Sequence, residues 1–437
     1  MAASTATGAT TDALTRIGYT PALMLKLPEV STTGTRAPRP SMWRFSRGEL
    51  LVAFAAAVVS VWMIVIVNML HQPLPGGDFV VFYTFGHAAR AGQWLLQYDW
   101  PAFHRLQVAL VPASASHTYP PTYPPLVPAL YAPFAFLSFR ASFLIWLLFS
   151  AAMYCFVMLL ASTARPDLPR AHVILSSLLF PPFVAHQVLG QSTIWPLVGF
   201  AVAWWALAHK HPVLGGIAFS LVATKPHLGI ALAIILIGSR MWRVVGGITL
   251  GIAVHGVLTL IVCGAAAIAG YIKTTLVVLR NPMIINPHDP RYAHSLRTSL
   301  EAVVPSEAAT IIWVVASGVF AWLMLRVWRR HESWTLRVSA LLIGTLLISP
   351  HVEVYDAILL APATLWLTIE GVELRRPALI AVVWLLSIAF LIPSARVAGI
   401  PLTIPMMAWL LWTCSAISQT SQVATGSSPI LARAGRD

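Results

Sequence analysis

The stretch Glu49–Leu70, ELLVAFAAAVVSVWMIVIVNML, decides the fold. Glu49 is its only charge, and the run reaches the ~20 residues that a helix needs to cross the hydrocarbon of a bilayer. In lipid no water is at hand to bond the backbone, so such a segment must be a helix that satisfies its own N–H and C=O groups. Arg44 and Arg47 stand just before it and place that end on the cytoplasmic side. On the far side follow Gly76, Gly77, Asp78 and Phe79, so Asp78 emerges where the first span leaves the membrane.

The pattern continues along all 437 residues. Hydrophobic residues make up 58% of the chain and charged residues 10%, against the roughly 25% charged of an ordinary soluble domain. Mean hydropathy is +0.76. The expected class is all-α, a polytopic integral membrane protein. The net charge of +13 invites a nucleic-acid reading, but no basic patch with interleaved aromatics forms a module for it. Lys and Arg gather instead in the gaps between apolar runs, as cytoplasmic loops do. Cys155, Cys263 and Cys414 lie singly in apolar runs, without metal or disulfide spacing. No metal site and no cofactor is expected.

Residues 1–45 read as a disordered cytoplasmic tail, 46–418 as the membrane domain and 419–437 as a second disordered tail. Apolar runs at about 126–138, 142–162, 172–189, 192–208, 212–238, 242–264, 308–328, 336–349, 354–369, 377–394 and 401–418 give about eleven to thirteen spans. Basic gaps at 239–243, 326–337 and 373–376 are cytoplasmic, which leaves 71–122, 265–307, 349–356 and 394–400 external. The loop 71–122 is too long for a connector. Residues 79–96 and 100–111 read as amphipathic helices able to lie flat on the bilayer. The run 212–238 is either one helix or a short hairpin with Lys225 at its outer tip; the charge rule favours the hairpin.

Charge at membrane level needs a reason. The acids on the outer side are Asp78, Asp99, Asp289, Glu301, Glu307, Glu353 and Asp356, and a carboxylate base would be among them. Asp78 can equally be a helix cap, since Asp at that position accepts from the first helical turn. Residues Ser349 to Asp356 crowd five polar groups at the top of a hydrophobic hairpin, either as an interfacial turn or as a site. Lys225 either snorkels to water or holds a phosphate. Arg280, Arg291 and Arg297 are cations kept on the outside, against the charge rule, and point to an anionic ligand or to headgroups. There is no phosphate-binding loop, dinucleotide fingerprint or nucleophile elbow. A transporter or flippase of a lipid-linked sugar is the rival to an enzyme. Lys225-Pro226 and Gly190-Gln191 would supply its broken helices, while a long external loop opening on an acid favours the enzyme.

Gly77-Asp78-Phe79 with Tyr83, Gly92 and Tyr98-Asp99, then Tyr123-Pro124-Pro125, Gly190-Gln191, Lys225-Pro226, Ser295-Leu296, and Ser349-Pro350-His351 with Tyr355-Asp356 together resemble glycosyltransferase family 87. The resemblance spans about residues 50–370. It implies a C-type membrane glycosyltransferase fold similar to that of polyprenol-phosphate-mannose-dependent mannosyltransferases. It further implies a bacterial plasma-membrane enzyme that moves a sugar, mannose first, with inversion from a polyprenyl-phosphate donor to a lipid or glycan acceptor at the periplasmic face. Asp78 is then the general base. Lys225, His351, Arg291 and Arg297 face the donor phosphate, and Tyr83, Tyr123, Gln191, Tyr355 and Asp356 face the substrates. The Arg297-Thr298 pair after Ser295-Leu296 departs from the small glycine of the family pattern, which bears on the acceptor side.

Overall fold

The computed structural model describes residues 47–117, 121–280, 293–331, 333–392 and 395–426. The expected tail 1–45, the residues after Gly426 and Arg291 lie outside them. Two compact units divide the chain at residue 50; the second, residues 51–437, holds all that follows.

The described residues form α1 (Arg47–His71), α2 (Phe79–Arg90), α3 (Trp100–Leu110), α4 (Val127–Tyr131), α5 (Phe139–Ser162), α6 (Arg170–Leu178), α7 (Pro181–Leu189), α8 (Ile194–Ala208) and α9 (Pro212–Phe219). They continue with α10 (Ile230–Gly238), α11 (Trp242–Cys263), α12 (Ala265–Arg280), α13 (Leu296–Glu301), α14 (Ser306–Arg330) and α15 (Trp334–Ile348). The last three are α16 (Ala361–Glu373), α17 (Pro377–Ala389) and α18 (Thr403–Gly426), and a two-residue β-ladder pairs Arg396–Val397 with Ile400–Pro401. The chain is all-α. The last helix runs on to Gly426, past residue 418 where the apolar pattern stops.

Four helices are each long and apolar enough to cross a membrane: Leu51–His71 within α1, α5, α11 and α14. The pair α6 and α7, bent by 57° at Pro181-Pro182, makes a fifth. The other expected spans are apolar helices of 10–17 residues, except 354–369, which falls on a 3₁₀ turn over Val354–Leu360 and the start of α16. Proline accounts for much of the shortening, because it removes a backbone donor and clashes with the preceding turn. Pro128 and Pro133 break 127–136 into one α turn and a 3₁₀ turn, and Pro226 splits 212–238.

The hairpin reading of 212–238 holds. Gly216 lies against Gly247 and Gly251 against Ser220, so α9 and α11 run in the same direction. The chain must therefore turn back between them, and it does so at Lys225, whose φ of −136° and ψ of 79° fall between two 3₁₀ turns. The arms diverge: α9 packs on α8 and α11, whereas α10 packs on α14 and α15. Gly216 permits the close crossing, since a Cβ there would stand 2.1 Å from the Val244 carbonyl oxygen.

Contacts sort the turns into two ends. Arg165 pairs with Glu373, the Arg329 guanidinium donates to the Gly238 carbonyl and Trp328 Nε1 donates to Met241. These join the turn after α5 to that after α16 and the turn after α14 to that after α10, and the Val213 carbonyl against Gly247 sets the turn after α8 near the one after α10; these turns form the basic end. The segments around residues 76–78, 123–125, 190–193, 225 and 349–356 gather at the other end.

One expectation fails. Helix α2 is no interfacial helix with a face on the headgroups: Phe79–Gly86, Ala88 and Ala89 are all buried. It packs on α4, α5 and the 3₁₀ turn 132–136, and Phe82 stacks on Tyr131 at 4.7 Å. An apolar stripe in a short helix meets protein as readily as lipid, and the sequence pattern does not separate the two.

Candidate active site

Asp78 and Asp99 stand at equivalent places, each just before a helix. Asp99 caps α3, its Oδ1 accepting from the Ala102 amide at 3.1 Å. Asp78 makes no side-chain cap bond to α2; its Oδ2 accepts from Gln191 Nε2 at 2.6 Å. The cap role thus falls to Asp99, and the Asp78 carboxylate turns toward another segment.

Two glycines fix that pairing. Gly76 and Gly190 both adopt the left-handed region, with φ of +65° and +66°. A Cβ on Gly76 would stand 2.1 Å from the ring of Phe143, and one on Gly190 would stand 2.6 Å from Phe79 Cβ. Phe143 is fully buried and packs 5.5 Å from Phe79. The aromatic pair is a wedge between two turns that only glycine lets approach. One turn presents Asp78 and the other presents Gln191, with the Gln191 amide nitrogen donating back to the His186 carbonyl to close α7.

Beside this pair lies a buried ion pair. Lys225 Nζ is 2.9 Å from Asp356 Oδ1 and 2.8 Å from Thr193 Oγ1, and Thr193 Oγ1 donates to Asp356 Oδ1 at 2.7 Å. Lys225 is 5% exposed and Asp356 0%. A buried charge needs a partner and satisfied hydrogen bonds, and the second Asp356 oxygen accepts from the Glu353 amide at 3.1 Å. Lys225 also lies 4.5 Å from the ring centre of Tyr355. Two of its three ammonium donors are engaged, which leaves the third for a ligand oxygen. Ser192 Oγ reaches the Tyr123 hydroxyl at 3.4 Å, so Tyr123 closes the cluster from the proline-rich segment. His227 and His351 stand edge to face at 5.9 Å, and each keeps a buried ring nitrogen without a partner among the described residues.

Glu353 belongs to the loop 349–356. Burial, followed by the negative charges of Asp356 and Asp78, raises its carboxyl to about 8. Lys225 acts in the opposite sense.

The structure brings together Asp78, Gln191, Tyr123, Lys225, Tyr355 and Asp356, with His351 at the edge. Tyr83 and Arg297 stand outside this hydrogen-bonded cluster. The Tyr83 hydroxyl donates to the Leu137 carbonyl at 2.8 Å, and Arg297 pairs with Glu301 at 3.2 Å. Thr193 ends the polar break Gly190-Gln191-Ser192-Thr193, which the sequence allows as a plain turn or a substrate contact, and His227 was not singled out from sequence. Thr193 follows Gly190-Gln191-Ser192 and His227 follows Lys225-Pro226, so polar side chains inside apolar runs were the available signal. Among the described residues no group of three or more His, Cys, Asp or Glu is placed to hold a metal ion.

Next to Lys225 opens an apolar cavity of about 760 Å³. Thr224 and Pro226, on either side of Lys225, line it together with Pro124, Pro125, Ile230 and Ile252. Ile252 on α11 is 49% exposed, so the cavity reaches the molecular surface.

The sequence model of Glycosyltransferase family 87 matches residues 122–350. The chain belongs to glycosyltransferase family 87. The matched span holds Tyr123, Gln191 and Lys225; Asp78 precedes it, and His351, Tyr355 and Asp356 follow it directly. No curated protein and no solved structure matches the chain. Family membership decides for a membrane glycosyltransferase over a transporter.

Proposed function

We propose that this glycosyltransferase takes its sugar, mannose first, from a polyprenyl phosphate and passes it with inversion to a lipid or glycan acceptor at the periplasmic face of a bacterial plasma membrane. One observation supports the reading: the residues on either side of Lys225, whose buried ammonium pairs with Asp356, line an apolar cavity of about 760 Å³. An isoprenoid chain fits the cavity and a phosphate monoester fits the cation. The side assignment is supported by charge, since the end opposite the cluster carries Lys210, Arg240, Arg329 and Arg375 and is cytoplasmic by the positive-inside rule. Nucleotide sugars are cytoplasmic, and a lipid-borne donor meets an outer site.

In this reading Asp78 removes the acceptor hydroxyl proton as the oxygen attacks the anomeric carbon, and Gln191 holds the carboxylate in line. The bond from that carbon to the phosphate oxygen breaks, and polyprenyl phosphate departs with the electron pair. Lys225 and the histidine pair His227 and His351 meet the charge that develops on it. A phosphate is a good leaving group, and the Asp356 carboxylate is held by Lys225 and Thr193, so Asp78 alone serves as base for direct displacement. Tyr123 and Tyr355 flank the sugar, and Asp356 keeps Lys225 charged and in place.

The test is a donor panel on protein in nanodiscs, with total membrane lipid as acceptor. Labelled polyprenyl-phosphate mannose, polyprenyl-phosphate arabinose and a nucleotide-activated mannose are compared. Transfer from a polyprenyl-phosphate sugar alone is expected. Transfer from the nucleotide sugar alone overturns the donor class and the outer face together.

A further inference from the structure

His351 has no helix to hold it. Residues 349–353 run as irregular chain between α15 and the 3₁₀ turn over Val354–Leu360. Yet three successive carbonyls of that chain are each engaged. The Pro350 carbonyl accepts from Thr298 Oγ1 at 3.3 Å, the His351 carbonyl from Ser349 Oγ at 2.7 Å and the Val352 carbonyl from the His294 amide at 2.8 Å. Two of these donors come from the segment that opens α13, and Thr298 lies 52 residues from Pro350.

That segment is itself anchored. Ser295 caps α13, its Oγ accepting from the Thr298 amide at 3.3 Å and donating to Thr298 Oγ1 at 2.8 Å. A hydroxyl carries one donor, so Thr298 accepts from Ser295 and gives its own proton to the Pro350 carbonyl. The His294 ring packs on Phe390 at 4.8 Å, with Nδ1 3.3 Å from Thr403 Oγ1 at the start of α18. Thr298 and His294 are both buried. A relay of short side chains thus ties the loop to the helical body on either side of His351.

What the relay delivers is the imidazole. His351 stands edge to face with His227 at 5.9 Å, its Nδ1 buried and without a partner among the described residues. Its direction is therefore set chiefly by the backbone that carries it. A functional group on a loop keeps its geometry only where supporting bonds lock it, and a misplacement of about 1 Å can cost about 10²-fold in rate.

We propose that Thr298 is a positioning residue for transfer: its hydroxyl, donating to the Pro350 carbonyl, holds the His351 imidazole toward the departing phosphate. The inference rests on the donor reading above, in which His227 and His351 meet the charge on that phosphate. Thr298 touches no substrate and acts only through the loop.

The experiment compares wild type, Thr298→Val, Thr298→Ser, His351→Ala and the double variant T298V/H351A in nanodiscs. Labelled polyprenyl-phosphate mannose and polyprenyl-phosphate arabinose are the donors. Val keeps the shape of the side chain and loses the hydroxyl; Ser keeps the hydroxyl. T298V is expected to lower kcat about tenfold, the size of one hydrogen bond, with KM for the donor within about twofold of wild type. T298S should stay within about threefold of wild type. Beside H351A the valine substitution should change transfer by less than about twofold, because residues that act as one unit do not add. Wild-type kcat in T298V, a T298S enzyme as impaired as T298V, or the full loss repeated beside H351A overturns the proposal. A second readout needs no transfer: the rate at which diethyl pyrocarbonate modifies His351, followed by mass spectrometry. It should rise in T298V and not in T298S, and an unchanged rate in T298V overturns the proposal whatever the donor. Faster modification in T298V, with transfer from neither donor, contradicts the donor reading alone.

Discussion

The two ends of the helical unit close their helices with the same backbone device and fill it differently. After α7 the left-handed residue is Gly190, and the amide that follows bonds back to the His186 carbonyl. After α8, α10 and α16 the left-handed residues are Lys210, Arg240 and Arg375, with φ of 64°, 54° and 52°. In each, the next amide bonds five residues back, to Ala206, Leu236 and Gly371. Glycine is the usual occupant because a Cβ is disfavoured there. At the cluster end the glycine is needed twice over, since Phe79 and Phe143 fill the space a Cβ would take. At the basic end a cation near the last carbonyls of a helix is favoured by the helix dipole. One end gives up side chains to bring Asp78 and Gln191 together; the other accepts backbone strain to keep charge.

That contrast can be broken at the cluster first. Lys225→Met leaves Asp356 buried without its partner, and stability should fall by about 3–5 kcal/mol. The double variant Lys225→Met with Asp356→Asn should recover much of that loss in thermal unfolding while transfer stays abolished. Recovery of transfer in the double variant would show that the pair only holds the fold. A smaller effect is expected from Gly190→Ala, which meets Phe79 as well as an unfavourable φ. About 1–3 kcal/mol is expected for the backbone term, together with a drop in transfer as Gln191 shifts from Asp78. Unchanged activity in that variant would remove the role assigned to the aromatic wedge. The smallest change is Arg240→Gly. It should raise stability by about 1 kcal/mol through relief of the left-handed strain, with transfer unaltered. Any loss of transfer there would mean that the basic end contributes more than orientation.

Much of this was legible in the sequence, for reasons that differ by residue. The span of α1 and the basic turns follow from hydropathy and charge, which act locally. Asp78, Gln191 and Lys225 stand out because a polar side chain beside apolar runs is conspicuous. The hairpin at 212–238 was open in the sequence because its apolar length fits either topology. Only the parallel course of α9 and α11 decides it. Asp78 and Asp99 have the same local signature, and the difference between base candidate and cap lies in a contact to Gln191, 113 residues away. The bridge from Thr193 to Asp356 crosses 163 residues and left no mark in spacing. Helix α2 was misplaced because an apolar face does not name its neighbour.

The central claim is that the glycine-built pairing of Asp78 and Gln191 presents a catalytic base. The most direct measurement is single-turnover transfer from labelled polyprenyl-phosphate mannose by Asp78→Asn in nanodiscs, with donor binding measured on the same preparation. Transfer reduced about 10²–10⁴-fold, with donor binding and thermal unfolding close to wild type, is the result predicted. Transfer at the wild-type rate, with the donor bound as before, would contradict it and move the base to another carboxylate of the cluster.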